Sequence, residues 1–164
     1  MADIRDVSKL LIMFEQERGL DTMTQLRLHK MLYFAQGWHL AWHGNPLFNS
    51  EFTAYKYGPV APEIRRLYGD CSNRAITLTQ DEFDNYNFDN MTDEEVQTVI
   101  DVFNEYDKFS TWTLVDMSHE TNPWMQHSQE SSTIPIPEIQ EHFSNMRPIE
   151  TFETVLENFP ESIA

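Results

Sequence analysis

Six histidines, 27 acidic residues and a single cysteine are the groups in this 164-residue chain that could do chemistry. The most enzyme-like cluster is His119-Glu120 ahead of Pro123-Trp124. A histidine followed by a glutamate is half of the zinc-protease word His-Glu-x-x-His, but the second histidine would fall at position 123, which is proline. His39 and His43 are four residues apart and would share one helix face, as a pair of metal ligands does. No neighbouring carboxylate or cysteine completes a zinc shell around them, and Cys71 stands alone. There is no Gly-x-Ser-x-Gly elbow for a nucleophile, no phosphate loop and no dinucleotide fingerprint; the chain has only five glycines. These patterns name no catalytic residue, no metal ligand and no cofactor-binding residue, and no cofactor is expected. His119 is expected to pack, with its imidazole bonded to backbone near Gly58-Pro59. His29 reads as a partly buried structural residue, His127 and His142 as solvated, and Trp42 and Trp112 as core.

The elements that must position these groups follow from periodicity and punctuation. Ile4, Val7, Leu10, Leu11 and Phe14 give a first amphipathic helix over 3–18. From 24 to 43 nearly every face is apolar: Leu28, Met31, Leu32, Ala35, His39 and Trp42 on one side, and Leu26, Tyr33, Phe34, Trp38 and Ala41 over much of the rest. Such a helix belongs at the centre of a domain. Thr22 with Gln25, or Thr24 alone, caps it, and Gly44 closes it. Residues 52–57 alternate as a strand, ended by a sharp turn at Gly58-Pro59. Pro62 opens a short helix over 61–68. Residues 76–78 read as a brief strand; Thr79 and Glu82 could cap a single turn, but 81–90 reads mainly as loop. Thr92 with Glu95 is a capping box that opens a helix over 93–108. A helix over 111–119 is broken by Asn122-Pro123. Loop, edge strand (134–136) and a helix from Pro137 follow. The spacing of Phe152, Val155, Leu156 and Phe159 predicts a helical tail over 148–164. The expected fold is α+β: a mainly helical domain, residues 1–147, around a buried central helix (about 24–43), with a small antiparallel β-sheet from 52–57, 76–78 and 134–136.

Composition narrows the function classes. The 21 aromatic residues support a packed core. No apolar run has the length of a membrane span, and the first residues carry no apolar signal core, so neither a membrane nor export is expected. One cysteine cannot form an internal disulfide, which suits a reducing, cytoplasmic setting. Residues 1–79 hold nine Lys/Arg and eight Asp/Glu, a net of +1; residues 80–164 hold two and nineteen, a net of −17. A half this acidic repels nucleic acid. It would draw in a basic protein, or simply keep the chain soluble.

The same residues carry a resemblance. Leu26-x-Leu28-x-Lys30-Met31-Leu32-Tyr33, Ala35-Gln36-Gly37-Trp38, Leu47-Phe48, Ala54-Tyr55-x-Tyr57-Gly58-Pro59-Val60, Pro62-Glu63, Ser118-His119-Glu120 and Pro123-Trp124 occur in that order. Together they resemble the SocA/Panacea domain of bacterial and phage antitoxins, over about 20–146. The resemblance implies an antitoxin that neutralises a cognate protein toxin by direct protein–protein contact rather than an enzyme. It also implies that the segment around Gly58 and the His119–Trp124 segment share or support one surface. Tyr55, Tyr57, Val60, His119 and Trp124 are then the partner-binding candidates, with Gly58 and Pro59 as the structural turn. Three other readings stay open at this point: an adaptor that delivers a toxin to an energy-dependent protease, an acidic phage protein that mimics nucleic acid, and an enzyme using His119 and Glu120.

Overall fold

The computed structural model describes residues 1–19 and 21–146. Helix α1 (Ile4–Glu17) starts where the Asp3 carboxylate accepts the Arg5 N–H. Helix α2 (Gln25–His43) starts at Thr24 alone, whose hydroxyl accepts the Arg27 N–H. It ends at Gly44, which takes the left-handed conformation (φ 75°) that a side chain resists. Every residue from Arg27 to Leu40 is buried, because α1, α5 (Asp93–Tyr106), α6 (Thr111–His119) and α8 (Ile136–Ser144) pack around α2.

An all-round buried helix must satisfy its own polar side chains. Gln36 donates to the Phe48 carbonyl and accepts the Leu47 N–H, both at 2.8 Å. Trp38 Nε1 donates to the Tyr106 hydroxyl at 2.8 Å. Arg27 donates to the Asp107 and Phe109 carbonyls and lies 3.3 Å from a Glu15 carboxylate oxygen, which ties the α5–α6 connection to α1 and α2. Gly37 is where α2 and α8 approach most closely: a β-carbon there would run into the Phe143 ring, 2.6 Å from its Cγ. That ring is wedged against Tyr33, Phe34 and Trp38 and has little room to yield. Gly37→Ala is expected to cost about 1–3 kcal/mol of unfolding free energy in urea titration; an unchanged midpoint would show that α8 can shift freely.

The sheet has three antiparallel strands in the order β2-β1-β3: β1 (Phe52–Tyr55), β2 (Gly58–Val60) and β3 (Thr133–Ile134). Here several expectations are corrected. Gly58-Pro59 is not the turn; the turn is Lys56-Tyr57, and Gly58 already pairs with Tyr55 in the returning strand. Pro59 has no N–H to offer a ladder, and it is tolerated because β2 is an edge strand. Residues 76–78 are not part of the sheet. The Ile76 N–H donates instead to the Met23 carbonyl (2.8 Å), and Leu78 is held by the Gln16 side chain. The third strand pairs at Thr133 and Ile134, and Ile136 already opens α8.

Two short helices occupy a segment expected to be mainly loop after a single capped turn and a segment expected only to break α6. Thr79 and Glu82 form a capping box for α4 (Gln80–Asp84). Asn122-Pro123 starts α7 (Asn122–His127) rather than ending order, since proline in a first helical turn has no N–H bond to lose. Among the described residues there are eight α-helices, α3 being Pro62–Tyr68, so the fold is the mainly helical α+β arrangement expected. No helix among them is long and apolar enough to cross a membrane. The tail expected over 148–164 lies outside the described residues.

Candidate functional site

The hairpin turn places Tyr57 at the rim of a groove of about 880 Å³. Its walls come from the first turns of α2 (Gln25, Leu26) and α6 (Thr111, Trp112), from the hairpin (Tyr55, Lys56, Tyr57, Val60), and from Arg65 on α3. His29, a turn further along α2, closes it beside Val60. Tyr57 and Trp112 meet edge to face across the opening, ring centroids 5.5 Å apart, and stay 48% and 58% exposed. Large aromatics this exposed, paired over a concavity, are unusual on a surface with no ligand to cover them.

Three of the five partner-binding candidates, Tyr55, Tyr57 and Val60, therefore line one groove. His119 and Trp124 do not line it. They stack on each other, centroids 3.9 Å apart and planes 21° apart, at the end of α6 and the start of α7. Trp124 Nε1 donates to the Tyr55 carbonyl at 2.8 Å, so this pair braces β1 beside the turn. The backbone contact expected of His119 is made by Trp124 instead, and His119 Nε2 is buried with no hydrogen-bond partner among the described residues. Glu120 is exposed, just past the last turn of α6.

Trp112 is the residue that sequence reasoning placed wrongly. It is not core. As a first-turn residue of α6 its side chain leans past the helix start, because Cα–Cβ bonds tilt toward a helix N-terminus. The available signal was its place just after the Ser110 cap, which puts it at the helix end rather than mid-face. Trp42, by contrast, does pack against the core, stacked on Trp38.

Beneath the turn lies an unusual support. Lys30 is fully buried, and its Nζ donates to the Pro59 carbonyl at 3.0 Å. Burial pulls its pKa down to about 7. Gly58, at φ +102°, leaves no space for a side chain: a β-carbon would meet the Lys30 side chain and lie 2.5 Å from Ser118 Oγ. His29 is buried too, and its Nδ1 accepts the Ala61 N–H at 3.2 Å. Burial, with Lys30 and Arg65 nearby, holds its pKa down at about 3, so the ring is neutral and its proton sits on Nε2.

The remaining histidines have structural partners. His39 places Nδ1 2.8 Å from Thr98 Oγ1 and Nε2 3.2 Å from Asn45 Oδ1, and its ring lies against His43. No group of three or more potential metal ligands occurs among the described residues. His127 is not simply solvated: it lies 2.9 Å from Ser132 Oγ and 2.7 Å from a Glu138 oxygen, pinning the 128–132 loop to α8. His142 is half-buried, with its pKa lowered by that burial.

The family model described as antitoxin SocA-like, Panacea domain, matches residues 28–125. The chain belongs to this family. The matched span holds His29, Lys30, the whole hairpin, Arg65, Trp112, Ser118, His119 and Trp124. Over 67 residues the chain is 42% identical to a protein named antitoxin SocA from Caulobacter vibrioides. That alignment covers 40% of this chain and 35% of the relative, so it spans about a third of the relative's length. No solved structure matches the chain. The groove and its buried Lys30 support are one assembly: α2, the hairpin, α3 and α6 line the groove, and Lys30 of α2 props the hairpin from beneath.

Proposed function

We propose that this chain is an antitoxin that neutralises a cognate protein toxin by direct contact, and that the groove under Tyr57 and Trp112 is where the toxin docks. The observation that carries the reading is this exposed aromatic pair, itself inside the span matched by the antitoxin family and held over a concave, partly apolar surface most of whose lining lies in that span. Aromatic side chains anchor interfaces because they bury large area at little entropic cost. His119 and Trp124 contribute by bracing the hairpin rather than by touching the toxin. Catalysis by His119 and Glu120 finds no support, since the His119 ring is stacked on Trp124 and its Nε2 is enclosed.

The test is rescue. The gene neighbouring this one is expressed alone and together with this chain. Growth arrest by the neighbour, relieved by this chain, is the expected result. With Tyr57→Ala and Trp112→Ala combined, rescue is expected to fail while the protein stays folded. Full rescue by that double variant would move the docking surface elsewhere.

A further inference from the structure

The groove differs electrostatically from the rest of the chain. The protein carries a net charge of −16, yet among the described residues the groove is lined by Lys56 and Arg65 and by no carboxylate. Four cations outside the groove, Arg5, Arg18, Arg27 and Lys108, are each paired with an acidic side chain, while, among the described residues, Lys9, Arg66 and Arg74 are not. Lys56 and Arg65 have no such partner among the described residues. Each lies over an aromatic ring of the hairpin instead, Lys56 Nζ 5.4 Å from the Tyr57 centroid and the Arg65 guanidinium 5.2 Å from that of Tyr55. Those contacts hold the cations at the groove while leaving their N–H groups open to a ligand. His29 adds a further donor. Its Nδ1 is taken by the Ala61 N–H, so Nε2 carries the proton, and no described residue accepts from it. The groove therefore brings the two cations and the His29 donor together with the apolar faces of Leu26, Tyr57 and Trp112.

We infer that the groove recognises a short extended segment of the protein partner in which a large apolar side chain is flanked by carboxylates. The apolar side chain packs into the groove against the Tyr57–Trp112 pair, and the carboxylates meet Arg65 and Lys56. The inference rests on the groove being the toxin-docking face and specifies what that face selects. A single-stranded nucleic acid would also suit aromatics beside cations, but two cations cannot offset the repulsion of a −16 chain along a row of phosphates. A segment with one or two carboxylates concentrates its charge where the cations are.

The experiment titrates the full chain with three capped, fluorescein-labelled probe peptides: Gly-Glu-Phe-Asp-Leu-Gly, its amide counterpart Gly-Gln-Phe-Asn-Leu-Gly, and its basic counterpart Gly-Lys-Phe-Arg-Leu-Gly. An eight-nucleotide oligothymidine is the fourth probe. The acidic peptide is expected to bind about tenfold more tightly than the amide peptide, and the basic peptide more weakly than either. In Lys56→Gln combined with Arg65→Gln, the preference should vanish while the thermal midpoint stays unchanged, because both side chains are exposed. Trp112→Ala should weaken all three peptides alike. Equal affinity for the acidic and amide peptides, preference for the basic peptide or for oligothymidine, or no peptide binding at all would each overturn the inference. A rescue assay that still depends on Tyr57 and Trp112 would then show that the docking face stands and only its charge selection has failed.

Discussion

Replacing Gly58 with valine is expected to lower the unfolding free energy by about 3 kcal/mol. Two costs combine. The backbone at Gly58 has φ +102°, which an L side chain resists, and most of all a β-branched one. The new β-carbon would also enter space held by the Lys30 side chain and Ser118 Oγ. Neither neighbour can step aside cheaply: both are fully buried, Lys30 is anchored on Pro59, and Ser118 Oγ donates to the Val115 carbonyl at 2.7 Å. Chemical denaturation of the variant checks this. A midpoint equal to that of the parent would mean that the hairpin can lift off α2 without penalty, and that the groove has no fixed wall.

The second large effect is a pH dependence that belongs to Lys30. An exposed lysine keeps its proton up to pH 10.5, whereas in the fold Lys30 gives it up at about 7. Its folded pKa is therefore depressed. Between these values the unfolded chain binds a proton that the native state does not, so stability rises with pH. Below about 7 both states are charged, and the native state carries the full cost of a buried ammonium. Lys30→Met fills similar space without a charge. From pH 7.5 to 9.5 the parent protein is expected to gain about 2 kcal/mol of unfolding free energy relative to Lys30→Met. A difference that stays constant across that range would mean that the amine is solvated, against its burial beneath Pro59.

Local rules were enough for the scaffold. Capping hydroxyls at Thr24 and Thr92, and the all-round apolar surface of Leu28 through Leu40, marked α2 and α5 with close boundaries. The hairpin was half legible: the alternation of Phe52 to Tyr55 gave β1, but Gly58-Pro59 read as punctuation. Nothing local reveals that Pro59 lies on an edge strand, where its missing N–H costs nothing. At Asn122-Pro123 the end of the 111–119 helix was legible, but not that the same proline opens α7. Tyr55, Tyr57 and Val60 were singled out through the family resemblance, and the structure brings them to one groove; that they bind the partner is the proposal. Trp112 was missed because periodicity assigns a face to a residue but does not say that a first-turn side chain overhangs the helix end. The placement of Lys56 and Arg65 on the groove was also out of reach. Their carboxylate-free surroundings are assembled from α2, α3, α6 and the hairpin, which are far apart in sequence.

The central claim is that Tyr57 and Trp112 hold the toxin. The most direct measurement is the affinity of the purified neighbouring gene product for this chain and for Tyr57→Ala combined with Trp112→Ala, each paired with a thermal midpoint. Each truncated anchor is expected to cost about 2 kcal/mol of binding, roughly 30-fold, and the pair several hundred-fold or more. The midpoint should move little, since both side chains are largely exposed. Parent-like affinity in a folded double variant would contradict the account.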